Sequence, residues 1–233
     1  MGADAFPAVF GVADAIPGWL TRDQAHALFD AATQLRPGST VVEIGSHQGR
    51  STVVLAGARP DVTVVSIDPF VGGKYGGDLA ARAFARHVDD AGVADRVESI
   101  PQPSETARRA WGDRPVDLLY VDGAHDPVHA YQDIRWARTM APGSRVLVHD
   151  SFSSVGVTLA LAWAVARREP LVYDRRVGSL AVFTVGRPGL GSAARMLREL
   201  PWFLRNVVVK TLMRLRLRPV ARFLGHRDAA EPY

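Results

Sequence analysis

The stretch Val41-Val42-Glu43-Ile44-Gly45-Ser46-His47-Gln48-Gly49-Arg50-Ser51 constrains the fold more than any other. An apolar run, Val41, Val42 and Ile44, ends in an acid and two glycines, and a helical pattern from Thr52 to Ala58 follows at once. The order is strand, tight loop, helix. Glycines let backbone approach a ligand closely, and a helix start offers unpaired N–H groups. The spacing is E-x-G-x-x-x-G, not the G-x-G-x-x-G of the dinucleotide fingerprint. Taken alone, such a turn is also what a purely structural βα connection looks like.

The continuation adds weight. Val62-Thr63-Val64-Val65-Ser66-Ile67-Asp68 is a second strand-like run ending in an acid, and Asp68 stands 23 positions after Gly45. An acid about 20 residues past a glycine loop is placed to hold a pair of ribose hydroxyls; a turn residue before Pro69 is the plainer reading. Val116–Val121 leads into Asp122-Gly123-Ala124-His125-Asp126, and Ser144–Val148 leads into His149-Asp150. In a parallel sheet these strand ends share one edge with Gly45 and Asp68, so three acids and two histidines converge on one crevice. Singly, Asp126 or Asp150 could cap a helix and His149 could be a satisfied core histidine.

Between these runs lie helical patterns at Asp78–Asp90, Thr106–Trp111 and Ser153–Arg168, and one through Ala137. Val97–Ile100 is a further short strand, and Leu171–Asp174 and Leu180–Val185 form a hairpin linked by residues 175–179. The expectation is an α/β chain: a Rossmann-like, doubly wound sheet, mostly parallel, with an antiparallel last strand. Thr21 and Gln24 fit a capping box ahead of a leading helix with Ala25, Leu28, Phe29 and Ala32 on one face. That helix covers a sheet face or the ligand's mouth and carries no evident chemistry. The glycine-rich residues 71–77 suit either a lid over the site, with Lys74 and Tyr75 as contacts, or a plain flexible loop.

The expected organisation is a helical cover (1–37), a catalytic body (38–186) and a basic helical tail (187–233). Charge divides the same way. Residues 1–186 carry net −3 and residues 187–233 carry net +7, so the overall +4 describes the tail and not the body. In the tail, Val208, Leu212 and Leu215 fall opposite Lys210, Arg214 and Arg218, an imperfect amphipathic helix. It could lie on an anionic membrane, pack on a partner subunit, bind an acidic polymer or pack on its own body. No basic patch interleaved with aromatics indicates nucleic acid. Cysteine is absent, which excludes disulfides and thiolate chemistry and suits the cytoplasm. No apolar run reaches the roughly 20 residues of a bilayer span.

The E-x-G-x-x-x-G string resembles motif I of the class I S-adenosylmethionine (SAM) dependent methyltransferases. Together with Asp122-Gly123-Ala124-His125 and His149-Asp150 it is similar to metal-dependent sugar O-methyltransferases of the macrocin type and the related cephalosporin hydroxylase-like proteins. The resemblance covers roughly residues 38–186. It implies SAM as cofactor, held by Glu43, Gly45, Ser46, Gly49, Ser51, Asp68 and Asp122, with Gln102 and Ser104 edging the adenine. Pro103 stands where such families often carry an acid. It further implies a divalent metal, Mg²⁺ or Mn²⁺, on Asp122, His149 and Asp150, with His125 as general base. His149 departs from the pattern, where the sugar-modifying enzymes have glutamate, and a nitrogen there tilts preference from Mg²⁺ toward Mn²⁺.

The chemistry agrees. A sulfonium methyl is already activated, whereas an aliphatic hydroxyl is a poor nucleophile that benefits from a metal and a base. The expected function is therefore O-methylation of a small-molecule or saccharide acceptor, and the resemblance implies a homodimer. The alternative is a hydroxylase-like or non-catalytic SAM-pocket protein recruited to a membrane by its tail.

Overall fold

The computed structural model describes residues 5–71, 77–216, 219 and 223. Two helices lead, α1 (Phe6–Asp14) and α2 (Arg22–Thr33). Five strand–helix units follow: β1 (Thr40–Ile44), α3 (Arg50–Ala58), β2 (Thr63–Ile67), α4 (Asp78–Asp90), β3 (Val97–Ile100), α5 (Ser104–Arg109), β4 (Leu118–Val121), α6 (Pro127–Ile134), β5 (Arg145–Val148) and α7 (Val155–Ala166). The hairpin β6 (Leu171–Val177) and β7 (Leu180–Val185) completes the sheet, and α8 (Leu190–Leu197) and α9 (Leu200–Arg214) follow it. The strand order is β3-β2-β1-β4-β5-β7-β6. β7 alone runs opposite to the other six strands, antiparallel to both β5 and β6. The expected Rossmann-like architecture, with its antiparallel last strand, is what the chain adopts.

Both faces of the sheet are covered, so its central strands are apolar on both sides. Side chains alternate between two cores. Val41, Leu118, Tyr120 and Leu147 pack beneath α1–α4, while Val42, Ile44, Leu119, Val121, Val146 and Val148 pack beneath α5–α7. Continued past the strand ends, the same alternation puts Asp122 and His149 on the α1–α4 side. The register levels those ends, because Ile44 pairs with both Ile67 and Val121, and Val121 pairs with Val148. Gly45, Asp68, Asp122 and His149 therefore leave the sheet along one row.

Three features differ from the sequence expectations. Helix α1 was not foreseen, although Phe6, Phe10 and Ala13 bury one helical face. Strand β6 runs on to Val177 through an irregularity between Tyr173 and Arg175, which leaves only Gly178-Ser179 as the turn. The tail forms two helices that dock on the body. Ser192 Oγ accepts from the Tyr173 N–H at 2.7 Å, Glu199 takes the Tyr173 hydroxyl at 2.7 Å and Arg176 Nε at 2.6 Å, and Asn206 donates to the Phe152 carbonyl at 3.2 Å. Of the outcomes open to the tail, α8 and α9 take packing on their own body. Lys74 and Tyr75, the expected loop contacts, lie outside the described residues, as does Arg218.

Candidate functional site

The turn after β1 is shaped by what it must avoid. Gly45 has φ +85°, and a Cβ there would lie 2.2 Å from the Asp122 carbonyl oxygen, so only glycine lets the ends of β1 and β4 close together. Beneath the loop, Glu43 is fully buried. Its carboxyl accepts from the Ser51 and Thr52 hydroxyls at 2.5 Å each, which ties β1 to the first turn of α3. Burial pushes the Glu43 pKa up to about 7, against the lowering effect of those two hydroxyls and with a further push from Asp122. Glu43 and Ser51 thus brace the loop from behind. Asp68 braces it from the side. Its Oδ2 accepts from the Ser46 and His47 amides at 3.0 and 2.8 Å, and its Oδ1 from the Phe70 amide at 2.8 Å.

On the other side of Gly45 the acids and histidines meet. Asp122 Oδ2 accepts from the Tyr120 hydroxyl at 3.0 Å, and Asp122 Oδ1 lies 3.2 Å from His149 Nδ1. Asp150 Oδ2 lies 3.7 Å from the same nitrogen and 3.1 Å from His125 Nε2. Asp150 takes φ +53°, a left-handed turn that an aspartate tolerates better than most residues, and Ser153 donates to its Oδ1 at 2.8 Å. His149 is 6% exposed. Burial alone would push its imidazole pKa down, but the two carboxylates outweigh it and hold it at about 10. Asp150 is itself held well below the usual carboxylate range by His149, which prevails over burial. His149 Nδ1, although at ion-pair distance from both acids, meets hydrogen-bond geometry with neither and has no hydrogen-bond partner among the described residues.

One ligand atom each from Asp122, His149 and Asp150 lies within 4.8 Å of the others. A buried nitrogen without a hydrogen-bond partner, facing two carboxylates, fits a divalent cation, since the field that draws a proton to Nδ1 would equally draw a metal. His125 is half-exposed at the rim, on the loop after β4. Its carbonyl oxygen rests against Gly156 of α7, where a Cβ would come within 1.9 Å. Asp126 caps α6 through the Val128 and His129 amides at 3.1 Å each, the plain role open to it from sequence.

These groups open onto a cavity of about 460 Å³ that gathers Gly45, Ser46, Ser51, Asp122, His125, His149 and Asp150. Further walls come from elements with no assigned chemistry, among them Trp19 and Gln24 before β1, Ser179 in the β6–β7 turn, and Trp202, Asn206 and Lys210 on α9. The spacing of those α9 residues, i, i+4 and i+8, is one helical face, a signal present in the sequence that a basic tail obscures. Gln24 reads as a capping residue, and only the tertiary structure shows its second side. Gln102 and Ser104 do not line this cavity. Gln102 is exposed, and the Ser104 hydroxyl bonds Asp133, a buried acid whose pKa desolvation raises to about 6.

Comparison with known proteins points to the methyltransferases. A family profile described as a methyltransferase domain matches residues 42–151, the span from β1 to just past Asp150. A catechol O-methyltransferase of Mycobacterium tuberculosis is 35% identical over 156 residues, covering 64% of this chain and 67% of that protein. Among solved structures, the O-methyltransferase from Bacillus cereus in complex with SAH superposes with a TM-score of 0.59 at 18% identity, over 80% of this chain and 92% of that one. Cofactor-bound Rv0187 from MTB gives a TM-score of 0.60 at 23% identity, over 80% and 91%. At these identities the two structures speak for the fold alone. The motif set, the sheet order and the Mycobacterium tuberculosis relative together establish that the chain belongs to the class I SAM-dependent O-methyltransferases and is an enzyme of that family.

Proposed function

We propose that the enzyme methylates a hydroxyl of a saccharide or other polyhydroxylated small molecule, with a divalent metal on Asp122, His149 and Asp150 and with His125 as general base. The observation that carries this reading is the buried His149 Nδ1, without a hydrogen-bond partner, between two carboxylates at the floor of the cavity.

SAM supplies a methyl group already activated by its sulfonium charge. A divalent ion would lower the hydroxyl's pKa and hold it in register. The donor set of two oxygens and one nitrogen suits Mn²⁺ or a similar transition ion better than Mg²⁺. The remaining work falls to the chain. The loop from Gly45 to Gly49, braced by Glu43 and Asp68, presents backbone to the cofactor. His125 takes the hydroxyl proton. With Nε2 facing the Asp150 carboxylate, Nδ1 is the nitrogen left for it. Trp19 and Trp202 flank the cavity and offer apolar surface to a ring while excluding water.

An aromatic diol is a second reading, favoured by the relative named as a catechol O-methyltransferase. Both acceptor classes offer adjacent hydroxyls to one cation. Methyl transfer from labelled SAM to saccharide and catechol panels separates them, run with chelator and with Mn²⁺ or Mg²⁺ added back. Suppression by chelator and restoration by Mn²⁺ are expected. Full activity in excess chelator would remove the metal, and transfer confined to thiols or amines would remove the hydroxyl acceptor.

The tail's contact with an anionic membrane is a separate part of the reading. It is supported by the exposed side chains Leu200, Leu204, Val208 and Leu215 along α9 and just past its end, in a segment of net +7.

A further inference from the structure

We propose that Gln24 is a positioning residue for the metal centre, its side-chain carbonyl holding the His149 Nε2–H so that Nδ1 is presented bare to the ion. The inference rests on the metal reading above.

The hydrogen bonds around Gln24 fix which end of its amide is which. The Thr21 backbone N–H can only donate, and it lies 3.0 Å from Gln24 Oε1. Gln24 Nε2 lies 3.0 Å from the Ser179 hydroxyl oxygen. The amide is thus oriented by an obligate donor, without reference to the histidine. His149 Nε2 sits 3.3 Å from the same Oε1. An amide oxygen only accepts, so Nε2 must carry a hydrogen. Once a metal displaces the proton on Nδ1, the neutral imidazole has one N–H, and holding it on Nε2 leaves the lone pair on Nδ1, the atom that faces Asp122 and Asp150. The opposite tautomer would set two acceptors against each other in a buried site, where Gln24 is 2% exposed.

Capping alone would explain a glutamine three residues after Thr21. It does not explain why that side chain is buried against the turn of a distant hairpin and the end of β5. Room for it comes from Gly178, where a Cβ would lie 3.3 Å from Gln24 Nε2. A histidine metal ligand whose second nitrogen donates to a carbonyl is held in tautomer and in ring orientation, and loss of such a partner typically weakens metal affinity by roughly 10–100-fold.

The test uses the full-length protein, with Mn²⁺ affinity read from the electron paramagnetic resonance of the free ion. Parent, Gln24→Leu and Gln24→Glu are compared, the last keeping both the acceptor oxygen and the helix cap. Gln24→Leu is expected to bind Mn²⁺ about 10–100-fold more weakly, and Gln24→Glu to stay within a few-fold of parent. Nitrogen-15 spectra of the Zn²⁺-loaded parent are expected to show His149 Nε2 protonated. Equal Mn²⁺ affinity in parent and Gln24→Leu, with only a lowered melting temperature, would reduce Gln24 to a structural residue and overturn the proposal. Where Gln24→Leu fails to fold, the spectra decide, and an unprotonated Nε2 overturns it. No Mn²⁺ binding by the parent would instead overturn the metal reading itself, and this proposal with it.

Discussion

His125 and His149 share one carboxylate, Asp150, yet stand in opposite surroundings. His149 is sealed beneath α2 with its Nδ1 turned to two acids, whereas His125 is half-exposed where an acceptor would enter. Their chemistry should divide accordingly. His125→Ala is expected to bind SAM as the parent does and to lose about 10²–10⁴-fold in kcat, read by calorimetry for binding and labelled transfer for rate; undiminished kcat would remove His125 from the mechanism. Glu43 gives a prediction of another kind. Its folded pKa, about 7, lies above the ordinary 4.5, so between those values the folded chain binds a proton that the unfolded chain does not. Stability from this group is therefore greatest at the acid end and falls as pH rises through 7, by up to about 3 kcal/mol. Asp133, raised to about 6, acts in the same direction. Glu43→Gln should flatten the decline between pH 5 and 7 in denaturant titrations, leaving the Asp133 part and, above 6.5, that of His149, and an unchanged slope would show that Glu43 is not the titrating group. The carboxylates and the imidazole at the strand ends were legible in sequence because parallel strands deliver their termini to one edge. The purpose of Glu43 was not. The motif marks it as part of a ligand loop, and only burial shows its oxygens committed to Ser51 and Thr52.

Among elements, the closest approaches sit where helices meet the loops that carry the site. Gly156, in the first turn of α7, faces the His125 carbonyl at a distance no Cβ could share, and what lies opposite is backbone, which cannot rotate away. Gly156→Ala should push the His125 loop outward. It should cost about 1–3 kcal/mol in stability and lower kcat, while SAM affinity, set at the Gly45 loop, stays near parental. Loss of SAM affinity equal to the loss of kcat would mean that the damage is global. Gly11 is the internal contrast. It lies inside α1 with nothing within 4 Å of a built Cβ, so Gly11→Ala should stabilise by about 0.5–1 kcal/mol. The order of the strand–helix units was readable because hydrophobic period and turn residues are local signals. Helix α1 and the boundaries of β6 were not, because the first is held by Phe6 packing on Phe29 of α2 and Val9 on Gly57 of α3, and the second by pairing with β7. The cavity walls supplied by Trp19, Gln24 and Trp202 are tertiary in the same sense, since the residues are brought together only once α2 and α9 have packed.

At the scale of the whole molecule, α9 faces two ways. Its inner side contributes Trp202 and Asn206 to the cavity and buries Val209. Its outer side exposes Leu200, Leu204 and Val208, the ridge continues to Leu215, and Arg214 and Arg216 are exposed beside it. An apolar ridge edged with cations matches the interface of an anionic bilayer, where apolar burial and charge attraction act together. No described helix is long and apolar enough to cross a membrane, so any such contact lies along the surface. Deleting the tail would be a poor test, because it would also remove a wall of the active cavity and confuse loss of recruitment with loss of the site. Leu204→Glu with Val208→Glu alters only the outer ridge. The parent should float with phosphatidylglycerol vesicles, remain behind with neutral phosphatidylcholine vesicles, and detach in high salt as screening weakens the charge attraction. The double variant should fail to float while keeping parental SAM affinity and methyl transfer in free solution. Flotation of parent and variant alike, or none by the parent on anionic vesicles, would leave α9 with its inner face alone, as a wall of the cavity.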